Sequence, residues 1–285
     1  MAERLADIVT QIQNVTQLEA VVRAMRGIAA SRAQKGRSLL AGIEAYADVI
    51  AHAIGQALTL LPTETSAAPP RRRARLVLIM FCAEQGFAGA FTERILDAAA
   101  GDLAGATVLL VGTRGAAVAN ERGIRPAWWA PMATHVDAIP GFANRLADAL
   151  YGHIADGVVA KVDIIYSRSV AGGGIMVDRH SLLPLDFARF ARPIEQQAPL
   201  TTLAPDVLLE RLASEYVYAE LCQAAMHAFE SENEARMLAM AAAKTNIETK
   251  LAALAQRERQ LRQEEITTEI VELAGGAAAS QMGGR

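Results

Sequence analysis

From Asp206 to the end of this 285-residue chain there is no proline, and from Asp206 to Ala274 there is no glycine. The two residues that most readily end a helix are thus missing from a stretch rich in Ala, Glu, Leu and Arg. The spacing predicts one continuous helix. At about 1.5 Å per residue, roughly 70 residues make a rod on the order of 100 Å, several times an ordinary globular helix. Aromatic residues are scarce as well, at 5%, and the 52% hydrophobic content leans on alanine. That mixture suits long helices better than one large core. Only two cysteines occur, Cys82 and Cys222. They are far apart, form no metal-ligand spacing and read as buried free thiols of a reducing compartment. A net charge of −3 leaves no basic excess to argue for nucleic acid. Long hydrophobic runs are missing too. The longest, Leu76 to Ala83, falls far short of the roughly 20 residues of a membrane span. Glu3 and Asp7 interrupt any signal-peptide-like start, so the reading is a soluble or peripheral chain.

What is present falls into two periodicities. Met240, Ile247, Leu254 and Leu261 recur at every seventh residue, with Met237 and Leu251 on the companion seam and Lys244, Glu258 and Glu265 as its polar members. A strict heptad means a left-handed supercoil against a partner helix. The natural partner is the N-terminal segment 1–61. There Leu5, Ile8, Ile12, Val15, Leu18, Val22, Met25 and Ala29 follow at steps of three and four, and the stripe resumes with Leu39, Ile43, Tyr46, Ile50, Ile54 and Leu61. Gly27, Gly36 and Gly42 each weaken a helix by up to about 1 kcal/mol, which leaves room for a bend or fray near them. Residues 62–75 (PTETSAAPPRRRAR) form a proline-rich linker whose Arg71, Arg72, Arg73 and Arg75 read as a solvated end.

In residues 76–200 the period changes. Leu76 to Cys82, Ala106 to Val111 and Val158 to Tyr166 are strand-like, and Ile175 to Arg179 follows as a further strand. Phe91 to Leu103, Gly115 to Arg122 and Gly141 to Ile154 are helical. This alternation implies a small Rossmann-like α/β domain with a mainly parallel sheet. It is inserted between the 1–61 helix and a C-terminal shaft helix over 205–280. Leu182 to Pro199, with three prolines, should be an irregular return.

Catalytic chemistry is hard to find. Gly86 and Gly89 follow a strand and precede a helix, the context of a phosphate-cradling turn, yet the third glycine of the dinucleotide fingerprint is missing. No G-x-x-x-x-G-K-[ST], H-E-x-x-H or G-x-S-x-G occurs, and the five histidines show no paired helical spacing. Glu230, Glu232 and Glu234 lie on the long helix and read as facing solvent or a partner. No catalytic residue, cofactor or metal is expected. The C-terminal surface is richer. Arg257, Arg259, Arg262, Gln263, Glu264, Glu265, Thr267, Thr268 and Glu269 fill under four turns, and the apolar stripe shifts to Ile266, Ile270, Leu273 and Ala277. This helix outruns its N-terminal partner by roughly 15 Å, and such an amphipathic end needs another protein to cover it. A salt-bridged solvent face is the plainer alternative.

At these residues the sequence resembles the γ subunit of F-type ATP synthases. Met25-Arg26-Gly27-Ile28-Ala29-Ala30-Ser31 is similar to the family's MKMVAAS. Glu84-Gln85-Gly86-Phe87-Ala88-Gly89-Ala90-Phe91 matches its SDRGLCGGLN turn with substitutions. Val111-Gly112-Thr113-Arg114-Gly115 and Leu182-Leu183-Pro184-Leu185 follow in the expected order. Most specific are Glu234-Ala235-Arg236-Met237-Leu238-Ala239-Met240, against ARMxAM, and Arg262 through Ile270, against RQxxITxEL.

The resemblance implies a central rotor shaft of the F1 sector, with antiparallel terminal helices inside an α3β3 hexamer and the α/β domain near the ε subunit and the c-ring. Rotation would couple proton or sodium flow to ATP synthesis or hydrolysis, with no ATP bound or cleaved by this chain. By motif position, Arg262, Gln263, Thr267, Thr268 and Glu269 would contact β-subunit loops. Arg26 would sit near a mobile acidic β element, and Ile266, Ile270 and Leu273 would turn in an apolar bearing. The implied location is peripheral, on the cytoplasmic side of a bacterial cell membrane. The N-terminal helix is less basic than the family's, with Asp7, Gln11, Gln13 and Glu19, which points to a divergent branch such as the alternative ATPases some bacteria carry. Against this shaft stands a non-motor coiled-coil adaptor with an α/β ligand-binding domain.

Overall fold

The computed structural model describes residues 2–61, 75–155, 159–170, 172, 174–190 and 200–282, the side chains of 2–4, 160 and 275–282 excepted. The linker arginines Arg71 to Arg73, and the side chain of Ala277, lie outside the described residues. In chain order the elements are α1 (Ala2–Leu58), β1 (Arg75–Phe81), α2 (Phe91–Ala99), β2 (Thr107–Val111) and α3 (Thr113–Glu121). They continue with β3 (Trp128–Ala130), α4 (Ile139–Ala155), β4 (Val159–Val170), β5 (Gly174–Leu183) and α5 (Pro205–Met282). No helix among the described residues is long and apolar enough to cross a membrane. The contacts divide into two compact units, Met1–Ile28 with Met237–Arg285, and Ala29–Arg236.

In the first unit the heptad of α5 is buried, with Met240, Ile247, Leu254 and Leu261 each less than a tenth exposed. Met240 and Ile247 pack with Val22, joined by Val15, Met25, Ala243 and Leu251. Two polar members of the seam are neutralised along the helix, Lys244 by Glu248 at 3.1 Å and Glu258 by Arg262 at 2.7 Å. Such pairs at four-residue spacing let a charge sit at a seam's edge cheaply. Leu18 leaves the expected stripe. It is about half exposed, while the neighbouring Glu19 turns inward and pairs with Arg23 at 2.5 Å.

The second unit is a five-stranded sheet in the order β3-β2-β1-β4-β5. The first four strands run parallel and β5 pairs antiparallel with β4. The unbroken apolar runs of β1 and β2 are those of strands covered on both faces. On one face Val77, Ile79 and Phe81 pack with Ile139, Phe142 and Leu146 of α4 and with Val217, Leu221, Met226 and Phe229 of α5. On the other, Leu78 and Met80 meet Ile95 and Leu96 of α2 and Val118 of α3. The strand β3 is only three residues long, too short for an apolar run to announce it.

Also within this unit, α1 lies antiparallel to α5. Gly36 faces Glu230, while Ile54 clusters with Leu209 and Leu212. The α1 glycines do not break the helix, which runs through Gly27, Gly36 and Gly42 without interruption. At Gly36 the glycine answers to close packing. A Cβ there would lie 3.2 Å from Glu230 Cβ and 3.4 Å from a Phe229 ring carbon. Small Ala33, Gly36 and Ala47 carry the buried seam where α5 comes near, and so Leu39 and Tyr46, expected inside, are exposed.

Candidate functional site

Two sets of residues stand out, one on each unit. In the first, α5 continues past Leu261, the last buried apolar residue among its described side chains, with Ile266, Ile270, Val271 and Leu273 exposed by half or more. Arg262, Gln263, Thr267, Thr268 and Glu269 share this exposed run. The hydroxyls of Thr267 and Thr268 bond back to the carbonyls of Gln263 and Glu264, both at 2.8 Å. Arg262 holds Glu258 while its side chain stays largely in solvent. Arg26, also exposed, is on α1, one turn beyond Val22, whose seam partners are Met240 and Ile247. The expected contact residues therefore form two patches, separated by roughly 20 residues of α5 or about 30 Å of helix.

The second set lies at the carboxyl end of the sheet, between β1 and β4. There the crossovers change direction, and an open parallel sheet takes its ligands at such a point. In this chain α5 fills it. Glu230, Ser231, Glu232, Asn233, Glu234 and Arg236 are all buried, which corrects the reading of the three glutamates as solvent- or partner-facing. Helical spacing cannot separate the two cases, because what satisfies these carboxylates comes from distant elements.

The Glu232 carboxylate accepts the backbone N–H groups of Glu84 and Gln85, at 2.9 and 3.1 Å. It thus occupies the concave amide turn that a phosphate would take. Arg236 holds the other side of that turn, donating to the carbonyls of Gly86 at 3.1 Å and Gln85 at 3.2 Å, to Asn233 Oδ1 at 3.0 Å, and to Glu232 itself. The N-terminus of α3, a second ready anion site, is also taken by a carboxylate of the chain. Glu84 accepts from the Thr113 N–H at 2.9 Å, the Thr113 hydroxyl at 2.8 Å and the Met132 N–H at 2.8 Å. Gly112 makes this approach possible, with φ 109° and a phantom Cβ only 2.6 Å from the carbonyl oxygens of Cys82 and Ala83.

On the α1 side, Arg37 donates to Glu230 at 3.1 and 2.5 Å and to Glu234 at 2.8 Å. The hydrogen bond to Glu230 leads in raising the Arg37 pKa. Ser169 at the end of β4 donates to the other Glu230 oxygen at 2.6 Å, and the Ser231 hydroxyl lies 2.7 Å from the His227 carbonyl of its own helix and 2.8 Å from the Ser167 carbonyl, with one proton for the two. Among the described residues no cluster of three or more His, Cys, Asp or Glu is placed to hold a metal ion.

Comparison with known proteins agrees with this architecture. A family model described as ATP synthase matches residues 4–279. The ATP synthase gamma chain of Streptomyces avermitilis is 30% identical over 289 residues, covering 94% of this chain and 93% of that one. The gamma chain of a Parafrankia species is 28% identical over 303 residues, covering 99% of this chain and all of the other. Among solved structures, the fold is similar to a chain of the Euglena gracilis mitochondrial ATP synthase, with a TM-score of 0.64 at 12% identity, covering 99% and 96%. It is also similar to one from the central stalk and c-ring structure of the Tetrahymena thermophila enzyme, with a TM-score of 0.57 at 16% identity, covering 78% and 99%. Matched from end to end by that family model and by gamma chains of bacterial ATP synthases, the chain belongs to the ATP synthase gamma-chain family.

Proposed function

We propose that this chain is the central rotor shaft of an F-type ATP synthase, coupling ion translocation to ATP synthesis or hydrolysis on other subunits. The paired terminal helices turn within an α3β3 hexamer, and the sheet unit meets the ε subunit and the c-ring. The chain is peripheral to the membrane, on the cytoplasmic side of a bacterial cell. It catalyses nothing itself, a reading supported by the two anion-ready turns being filled by Glu232 and Glu84.

The observation that carries the proposal is the exposed stripe of Ile266, Ile270, Val271 and Leu273 beyond the last buried heptad position. An exposed apolar stripe of this kind marks a surface that another protein covers. In the rotor it is the apolar bearing, with Arg262, Gln263, Thr267, Thr268 and Glu269 meeting β-subunit loops and Arg26 a separate acidic β element. A shaft must differ from side to side, since a ligand or surface that treats all states alike shifts none of them.

The test is reconstitution with α and β subunits. One copy per three αβ pairs is expected, with ATPase activity that drives ion pumping. Ile270→Asp together with Leu273→Asp should lower pumping per ATP hydrolysed. A chain that does not join the hexamer, or a variant that couples normally, would overturn the assignment.

A further inference from the structure

The buried polar segment of α5 has no counterpart in the apolar logic of the rest of the unit. From Val217 to Phe229 the helix adheres to the sheet through Val217, Leu221, Cys222, Ala224, Ala225, Met226, Ala228 and Phe229. Adhesion is therefore already supplied. At Glu230 the pattern changes to five consecutive buried polar residues and then Arg236. A buried ion network gives little net stability over apolar residues of the same size, because desolvation offsets the attraction. Its distinct property is direction. Apolar burial is non-directional and scales with area, so this close-packed interface resists rolling only through the fit of its side chains, whereas a hydrogen bond weakens steeply off its geometry.

The partners are placed to stop such rolling. Successive residues of a helix are about 100° apart, so Glu232 lies about 200° round from Glu230. Glu230 and Glu234 are held on one side by Arg37 of α1. Glu232 and Arg236 are held on nearly the opposite side by the turn of Glu84, Gln85 and Gly86. Glu230 is fixed to the end of β4 by the Ser169 hydroxyl. A turn of α5 that eased one set would break another.

From this geometry we infer that Arg37, Glu230, Glu232, Glu234 and Arg236 form a torsional clamp, through which torque passes between the sheet unit and α5. They are positioning residues, and the inference rests on the rotor reading. The clamp sets the angle of the helix relative to the sheet and keeps it there under load. The apolar interface beneath it supplies the adhesion and the close packing.

The experiment uses the assembled complex, with a bead on the sheet unit and the tip of α5 cross-linked to one β subunit. The angular fluctuation of the bead reads torsional stiffness directly. Glu232→Gln with Arg236→Met is expected to widen that fluctuation and to lower ion pumping per ATP hydrolysed. Leu146→Val, which loosens the same unit through the α4 core, should change neither. Should the double variant fail to assemble, Glu232→Gln alone, which keeps the side chain's shape, carries the same comparison. Unchanged fluctuation in the clamp variant, or equal widening by Leu146→Val, would overturn the clamp while leaving the rotor assignment in place. Failure of the unmodified chain to join the hexamer would instead refute the rotor reading.

Discussion

Gly36 and Gly42 lie on the same helix and would look alike to any scale of helix propensity. Replacing either with alanine removes backbone freedom from the unfolded chain and favours the helix by about 1 kcal/mol. At Gly42 no heavy atom lies within 4 Å of the new Cβ, so the gain is kept. At Gly36 the Cβ arrives 3.2 Å from Glu230 Cβ and 3.4 Å from a Phe229 ring carbon, shorter than the 3.5–4.0 Å of a comfortable carbon contact. The neighbours cannot move aside. Phe229 is 4% exposed and locked in the sheet core, and Glu230 is held by Arg37 at 2.5 Å and Ser169 at 2.6 Å. Overpacking of this kind costs about 1–3 kcal/mol, which cancels or exceeds the propensity gain. Gly42→Ala should therefore stabilise by about 1 kcal/mol, and Gly36→Ala should lie about 1–3 kcal/mol below it. At about 2–4 °C per kcal/mol for a chain of this size, the melting temperatures separate measurably by circular dichroism. If Gly36→Ala melts as high as Gly42→Ala, the close approach of α1 to α5 is wrong.

The remaining predictions concern titrating and buried groups. Burial holds His227 below the usual imidazole range of 6.5, and its ring stacks on Tyr166 at 5.6 Å. The folded state prefers the neutral ring, so stability is complete above pH 6.5 and falls as pH drops below it. Denaturant midpoints at pH 5 and 7.5 should differ less in His227→Gln than in the unmodified chain. For Asp163, burial alone would raise the pKa, but hydrogen bonds from Lys161 and Arg179 outweigh it and hold the carboxylate low. Asp163→Asn should lower stability at neutral pH, and the deficit should shrink as pH falls from the ordinary value of 3.8 through the lower folded-state value. The thiols of Cys82 and Cys222 are raised by burial, so a thiol reagent should label them only on unfolding. Labelling of the folded chain at the rate of a free thiol would contradict their placement.

Much of this architecture could be read from spacing. The heptad of Met240, Ile247, Leu254 and Leu261 is a periodic signal over several turns, and the buried runs of β1 and β2 are compact local ones. The α1 seam was harder to read, because Ala33, Gly36 and Ala47 are small residues that hydrophobic counting passes over. The clamp was not legible at all. Glu230, Glu232 and Glu234 on a helix look solvated, and their burial depends on Arg37, the Glu84–Gly86 turn and Ser169, all more than 60 positions away in the chain. The one local hint is Arg236 four residues after Glu232.

The central claim is that the paired ends of this chain turn as a shaft inside a ring of other subunits. Single-molecule observation tests it most directly, with the αβ hexamer fixed to a surface and a bead attached to the sheet unit. On addition of ATP the bead should rotate continuously in one direction, and stop when ATP is withdrawn. A bead that stays fixed, or that only diffuses in both directions while ATP is being hydrolysed, would contradict the account.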